Sequence, residues 1–301
     1  MNDQASALRK MMKNNMNNSE KKTKKDKNES INNSTRIIAV ASGKGGVGKT
    51  NLSVNLAHAL NKMDKDVLIM DADIGMANID ILMGLTSTFS LKHVMEGRCS
   101  IEEAIIEDPT GISILAGISG EEDFMNVKQA EIERLFSASS HLQANYDIII
   151  IDIGAGAHQD ALNFIMSADE ALIVLTPEPT AIMDAYSLIK ILSTHEFIND
   201  IGLVVNMVDS TKEGNNVINR MKNVIKEYLG MSVELTTTIP YDKKVVQAVK
   251  KQKSVFELFP KASVVQAYKN TASQLINRGE ESSSQGTKSF FSKVIGMFKK
   301  G

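Results

Sequence analysis

One cysteine, Cys99, stands among 301 residues, so the chain alone can form neither an internal disulfide nor a multi-cysteine metal site. Charge of one sign is also missing in bulk. Thirty-four basic residues against 36 acidic ones leave a net charge of −2, which excludes a globally basic nucleic-acid binder, and no direct nucleic-acid partner is expected. The opening MNDQASALRKMMKNN lacks the apolar core of a secretory signal, and no apolar run reaches membrane-span length. A cytoplasmic protein is therefore the expectation. What is present is apolar content of 43%, enough for one large core or two ordinary ones.

The chain divides by composition. Residues 13–35 are almost entirely Lys, Asn, Ser, Glu and Asp, too polar to offset chain entropy, and read as a disordered linker. From 36 to 278, short β-branched runs (RIIAVAS, DVLIMDAD, YDIIIIDIG, ALIVLTP, GLVVNMV, VELTTTIP) alternate with longer helix-period stretches. Each run is apolar on both faces, as in strands covered by helices on both sides. The alternation predicts one α/β domain, doubly wound around a mostly parallel sheet, with its ligand at the carboxyl ends of the strands. Residues 279–287, GEESSSQGT, read as a second linker before a distinct element at 288–301.

Gly43, Gly48, Lys49 and Thr50 satisfy G-x-x-x-x-G-K-[ST] between an apolar run and a helix pattern. Backbone N–H groups of Gly45, Gly46, Val47, Gly48, Lys49 and Thr50 are placed to hold α- and β-phosphates, with Asn51 continuing the turn. Lys49 would reach the β- and γ-phosphates, and the Thr50 hydroxyl would bind Mg²⁺. A second lysine, Lys44, follows the first glycine directly. It cannot easily reach its own nucleotide, because the next glycines must wrap the phosphates.

The run KGGVGKT, residues 44 to 50, resembles the deviant phosphate-loop signature of the MinD/ParA family of ATPases. The resemblance covers residues 36 to about 278 and implies a P-loop fold, ATP and Mg²⁺ as cofactors, and an ATP-bound homodimer. In it Lys44 reaches the nucleotide of the partner subunit. Asp71, Asp73, Gly75 and Asn78 form D-x-D-x-G-x-x-N, similar to the family's switch I. There Asp73 orients the attacking water and Asp71 supports the magnesium shell. Asp152 ends YDIIIID, where a carboxylate contacts magnesium, and Gly154 and Gly156 follow as in switch II, whose backbone N–H reads the γ-phosphate. Ile153 replaces the threonine usual in the family's flagellar branch. By resemblance Asn206 reads the adenine edge, and the loop of Pro240 and Asp242 lines the base pocket.

The two ends carry further elements. Phe290, Phe291, Val294, Ile295 and Phe298 share one helical face, with Lys288, Lys293, Lys299 and Lys300 around it. Such a basic amphipathic helix suits an anionic bilayer surface; docking onto the protein's own core is the alternative. At the start, Asp3 can cap a short helix whose Ala5, Leu8 and Met12 share a face, so residues 1–12 read as a partner-binding motif on a flexible tether. Asp3, Gln4, Ala5, Leu8 and Arg9 match D-Q-A-x-x-L-R of the family's flagellar-number branch. That likeness implies activation of an SRP-type GTPase, FlhF, and regulation of flagellar number or placement. Asp184, in TPEPTAIMDAYSLIKIL, is a candidate partner contact. A flagellar switch-complex protein or transcription regulator stays open as a further partner. The single cysteine removes the iron–sulfur relatives, while division-site and DNA-partitioning ATPases remain alternatives. Localisation is expected to be cytoplasmic, reversibly at the inner face of the cell membrane.

Overall fold

Runs of Val, Ile and Leu fold into strands where a helix can cover each face. In the computed structural model the described residues are 35–73, 79–117, 127–195, 200–279 and 284–298. The motif Asp3, Gln4, Ala5, Leu8 and Arg9, the switch residues Gly75 and Asn78, and Lys299 and Lys300 lie outside them, as does the Phe298 side chain.

In chain order, β1 (Arg36–Ala41) leads through α1 (Lys49–Asn61) to β2 (Val67–Ala72). Three short helices follow, α2 (Ile79–Met83), α3 (Leu91–Glu96) and α4 (Ile101–Ala104), then the paired β3 (Ile105–Glu107) and β4 (Ser113–Ala116). Next come α5 (Gln129–Asn145), β5 (Ile148–Ile153), α6 (Gln159–Ser167), β6 (Glu170–Leu175), α7 (Pro179–Thr194) and β7 (Asp200–Val208). The rest is α8 (Thr211–Leu229), β8 (Leu235–Pro240), α9 (Lys243–Lys250), α10 (Val255–Leu258), α11 (Ser263–Gly279) and α12 (Gly286–Phe298).

The described residues form an eight-stranded sheet in the order β3-β4-β2-β5-β1-β6-β7-β8, parallel except for the β3–β4 pair. Every residue of β1, β2, β5 and β6 is buried. Side chains alternate across the sheet. Ile37 and Ala39 enter one apolar layer, whereas Ile38 and Val40 enter the other. The expected doubly wound fold and its six long strands are present. β3 and β4, only three and four residues long, went unpredicted.

Both ends of the body depart from expectation. Thr35, assigned to the linker, is 1% exposed, and its hydroxyl donates to the Tyr146 carbonyl at 2.8 Å. α12 begins at Gly286 and lies on α5, α6 and β1. Phe290, Phe291, Val294 and Ile295 are 2%, 2%, 0% and 5% exposed. The Phe290 ring stacks on Phe164 of α6, with centroids 6.4 Å apart. Thr287 donates to the Ser139 carbonyl at 2.6 Å, and Asp169 accepts the Gln285 N–H at 3.0 Å. The expected membrane face is therefore turned inward here. An apolar stripe with no bilayer beside it lowers its free energy against the core it can reach.

α1 carries a buried histidine on the opposite layer. His58 stacks on Phe256 at 5.9 Å, and its Nδ1 stands 3.3 Å from the Thr110 hydroxyl. Burial pushes its pKa down to about 4, with Asp108 opposing. A folded value below the ordinary 6.5 means that the unfolded chain binds the extra proton between those limits. The stability contribution is thus full above about pH 6.5 and is lost as pH falls toward 4, at about 1.4 kcal/mol per unit. Urea unfolding at pH 7 and pH 5 should differ by roughly 2 kcal/mol from this site, and His58→Gln should remove that share. Identical pH dependence in both proteins would refute it.

Candidate nucleotide site

The chain leaves β1 through Ser42 and turns at once into α1, and two glycines permit the turn. A Cβ on Gly43 would stand 2.2 Å from the Asp184 carbonyl oxygen of α7. Gly48 has φ +90°, and a Cβ there would stand 2.5 Å from the Asn206 amide nitrogen. Side chains are thus excluded at both positions. Asp184, considered as a partner contact, has its backbone packed on this loop. The N-terminus of α1 opens into a cavity of about 820 Å³ lined by Gly45, Gly46, Lys49, Thr50, Asp73 and Gly154, among others. It lies at the carboxyl ends of β1, β2 and β5, where a doubly wound sheet binds ligands.

Charge is concentrated at its floor. Lys49 is 9% exposed. Burial lowers its pKa, while Asp152 and Asp73 favour its charged form. Asp152 is 2% exposed and accepts the Ser53 hydroxyl at 3.0 Å. Burial pushes its pKa up to about 7 and the Asp71 charge adds to this, whereas hydrogen bonds from Thr50 and Ser53 and the Lys49 charge pull it back. A buried carboxylate beside the Thr50 hydroxyl, so reluctant to ionise by itself, fits a divalent cation that would compensate it. Thr50 and Asp152 are the residues that would hold Mg²⁺, with phosphate oxygens and water completing the shell. Asp71 also shapes the backbone. Its two oxygens accept the backbone N–H groups of Asp73 at 3.0 Å and Ile79 at 3.2 Å, so it braces the backbone on both sides of residues 74–78. Asp73 reaches the cavity beside Gly154, where a Cβ would stand 2.8 Å from its Oδ1.

Four expected contacts fall elsewhere. Asn206 donates from Nδ2 to the Val47 carbonyl at 2.8 Å and accepts the Met207 N–H at 2.9 Å, so its amide ties β7 to the phosphate loop. Met207 lines the cavity in its place. Its φ of +57° is rare for a branchless apolar residue and is held by that Asn206 bond. Pro240 closes β8 beside a separate polar groove, and Asp242 caps α9 by accepting the Lys244 N–H at 2.8 Å. Gly156 donates its N–H to the Ser42 carbonyl at 2.9 Å, so in this conformation that amide is not free for a phosphate.

Lys44 points away from its own loop. Its Nζ donates to Glu178 at 3.0 Å and Thr180 at 2.9 Å, at the N-terminus of α7. Glu178, Thr180, Ser53, Met207 and His158 were not read from the sequence. Their roles depend on neighbours about a hundred or more residues away, or on a backbone turn that no motif spells out.

A phosphate loop with an extra lysine, a threonine hydroxyl beside the buried Asp152 and a cavity at the strand ends define a nucleotide-hydrolysing P-loop protein. The ParA family, described as NUBPL iron-transfer P-loop NTPase, matches residues 33–276. The chain belongs to this family and is an ATPase of its MinD-like group. The lone Cys99 leaves the iron-transfer part of that description without a thiol pair here. Antiactivator FleN of Pseudomonas aeruginosa is 38% identical over 240 residues, 80% of this chain and 86% of that protein. Flagellum site-determining protein YlxH of Helicobacter pylori is 33% identical over 266 residues, 87% of this chain and 90% of that one. The septum site-determining protein MinD of Pyrococcus horikoshii, solved with Mg-ADP, superposes with a TM-score of 0.64 at 27% identity, covering 80% of this chain and 96% of that one. Among the described residues, no helix is long and apolar enough to cross a membrane.

Proposed function

We propose that the chain is an ATP-dependent, dimerising ATPase that associates reversibly with the membrane and regulates flagellar number or placement, activating an SRP-type GTPase of the FlhF kind through Asp3, Gln4, Ala5, Leu8 and Arg9. The observation that carries this reading is the identity to two flagellar proteins, each matched over most of both chains.

The site residues take roles in that cycle. Lys49 and the backbone of residues 45–50 bind the phosphates of ATP. Mg²⁺, when bound by Thr50 and Asp152, neutralises charge on the β- and γ-phosphates. Lys44 exchanges its contact with Glu178 for the nucleotide of the partner subunit, which makes the dimer depend on ATP. Asp73 orients a water against the γ-phosphorus; the P–O bond to ADP breaks, and ADP and inorganic phosphate leave. α6 joins the switch II end of the site to the Phe164 ring that packs on Phe290. A shift of α6 would therefore loosen α12. Two released helices in one dimer bind an anionic surface far better than one, through effective concentration.

The test is GTP hydrolysis by the FlhF-type GTPase of the same cell, with a peptide spanning residues 1–12. Stimulation that disappears in the Asp3, Gln4 and Arg9 triple-alanine peptide supports the flagellar assignment. No stimulation would remove it and put the division-site ATPase first.

A further inference from the structure

The geometry points to His158 as a γ-phosphate-contacting residue of the ATPase, the imidazole that gives the switch II side of the site its preference for ATP over ADP. Four observations converge on it.

His158 lines the same cavity as Lys49, Asp73 and Gly154. Through the Gly156 turn it belongs to the switch II side of that cavity. Its backbone is the N-cap of α6, with φ −67° and ψ 153°, yet its side chain makes no capping bond. The imidazole instead folds over the switch II turn. A Cβ on Gly156, whose φ is +102°, would stand 3.2 Å from His158 Nε2. Finally, the Gly156 N–H that could have served a phosphate is committed to the Ser42 carbonyl.

With the Gly156 amide engaged, the His158 imidazole is a side-chain donor on the switch II side of the cavity. The bottom of the polyphosphate has Lys49 and the amides of the phosphate loop. Asp73 and Asp160 also line the cavity, two carboxylates that repel a phosphate oxygen. An imidazole always carries at least one N–H, and carries two when protonated. It is exposed and close to the first turn of α6, whose unsatisfied amides favour a nearby anion. A short rotation about its side-chain torsions would bring that N–H from above Gly156 to a γ-phosphate oxygen. ADP offers no oxygen there, so the contact distinguishes the two nucleotides. It also holds the terminal phosphate while charge grows in the transition state, so it affects turnover as well as binding.

The test compares His158→Ala and His158→Gln with the unaltered full chain, at a protein concentration where mass photometry finds monomers, with ADP and a non-hydrolysable ATP analogue in Mg²⁺ buffer. Because His158 is exposed, equal melting temperatures are expected for all three proteins. His158→Ala should keep ADP affinity within twofold, lose about tenfold in analogue affinity, and lose about tenfold in kcat, in line with one charge-assisted hydrogen bond. His158→Gln, which retains an N–H donor, should recover most of the analogue affinity. An unchanged ratio of analogue to ADP affinity would overturn the assignment. So would equal losses for both nucleotides, which mark a merely structural loop residue. A defect confined to dimer formation, with normal turnover per dimer, would make His158 an interface residue and overturn it as well.

Discussion

Lys49→Ala should lower ATP affinity by at least a hundredfold and abolish turnover. Lys49 is buried between Asp152 and Asp73, and burial already disfavours its charge. Its ammonium is tolerable there because carboxylates surround it and, in the working complex, because phosphate oxygens do. Truncation leaves those anions facing one another in a site of low dielectric. Truncating one partner of a buried, hydrogen-bonded charge pair at a binding site costs about 2–5 kcal/mol, up to about three and a half decades of affinity at about 1.4 kcal/mol each. Titration calorimetry with Mg-ATP measures it directly. Affinity within tenfold of the parent would mean that the loop amides hold the phosphates unaided. Lys44→Ala provides the contrast. Lys44 is exposed and bonds Glu178 and Thr180 of its own chain, so its loss should spare monomer binding and remove ATP-dependent dimers.

The second large effect belongs to the C-terminal helix. Phe290 and Phe291 are both about 2% exposed, with ring centroids 5.1 Å apart. Replacing a buried Phe by Ala costs about 3–5 kcal/mol when the protein unfolds as one unit. On the proposed release α12 leaves the body by itself, so the loss is capped at the free energy of docking, beyond which the helix simply stays off. Phe290→Ala with Phe291→Ala should therefore produce rapid proteolysis after residue 279 while the rest of the domain stays folded. Cleavage no faster than in the parent protein would contradict docking.

The same residues mark where the sequence was legible. The phosphate loop, the Asp152 strand end and six strands could be read because each is a local pattern with one physical cause. β1 must be apolar on both faces if helices cover both. β3, at three residues with a partly exposed face, has no such pattern. The α12 stripe was visible, but its occupant was not, because a bilayer and a protein core select the same spacing of Phe, Val and Ile. Asn206, Pro240 and Asp242 illustrate a different limit. Asn and Pro are common at turns, and only the fold shows that the Asn206 amide bonds the Val47 carbonyl. Gly156 likewise reads as a switch glycine, while its donation to Ser42 links strands that the sequence separates by more than a hundred residues. The pairing of Lys44 with Glu178 spans 134 positions.

The proposed cycle links the ATP site to the membrane through nucleotide-dependent exposure of α12. Sedimentation with anionic vesicles, comparing ADP with a non-hydrolysable ATP analogue at equal protein concentration, tests it most directly. ATP-driven release predicts at least tenfold more protein on vesicles with the analogue, and no such gain for Lys49→Ala. Equal sedimentation in the two nucleotides would contradict it and leave α12 as a permanent part of the core.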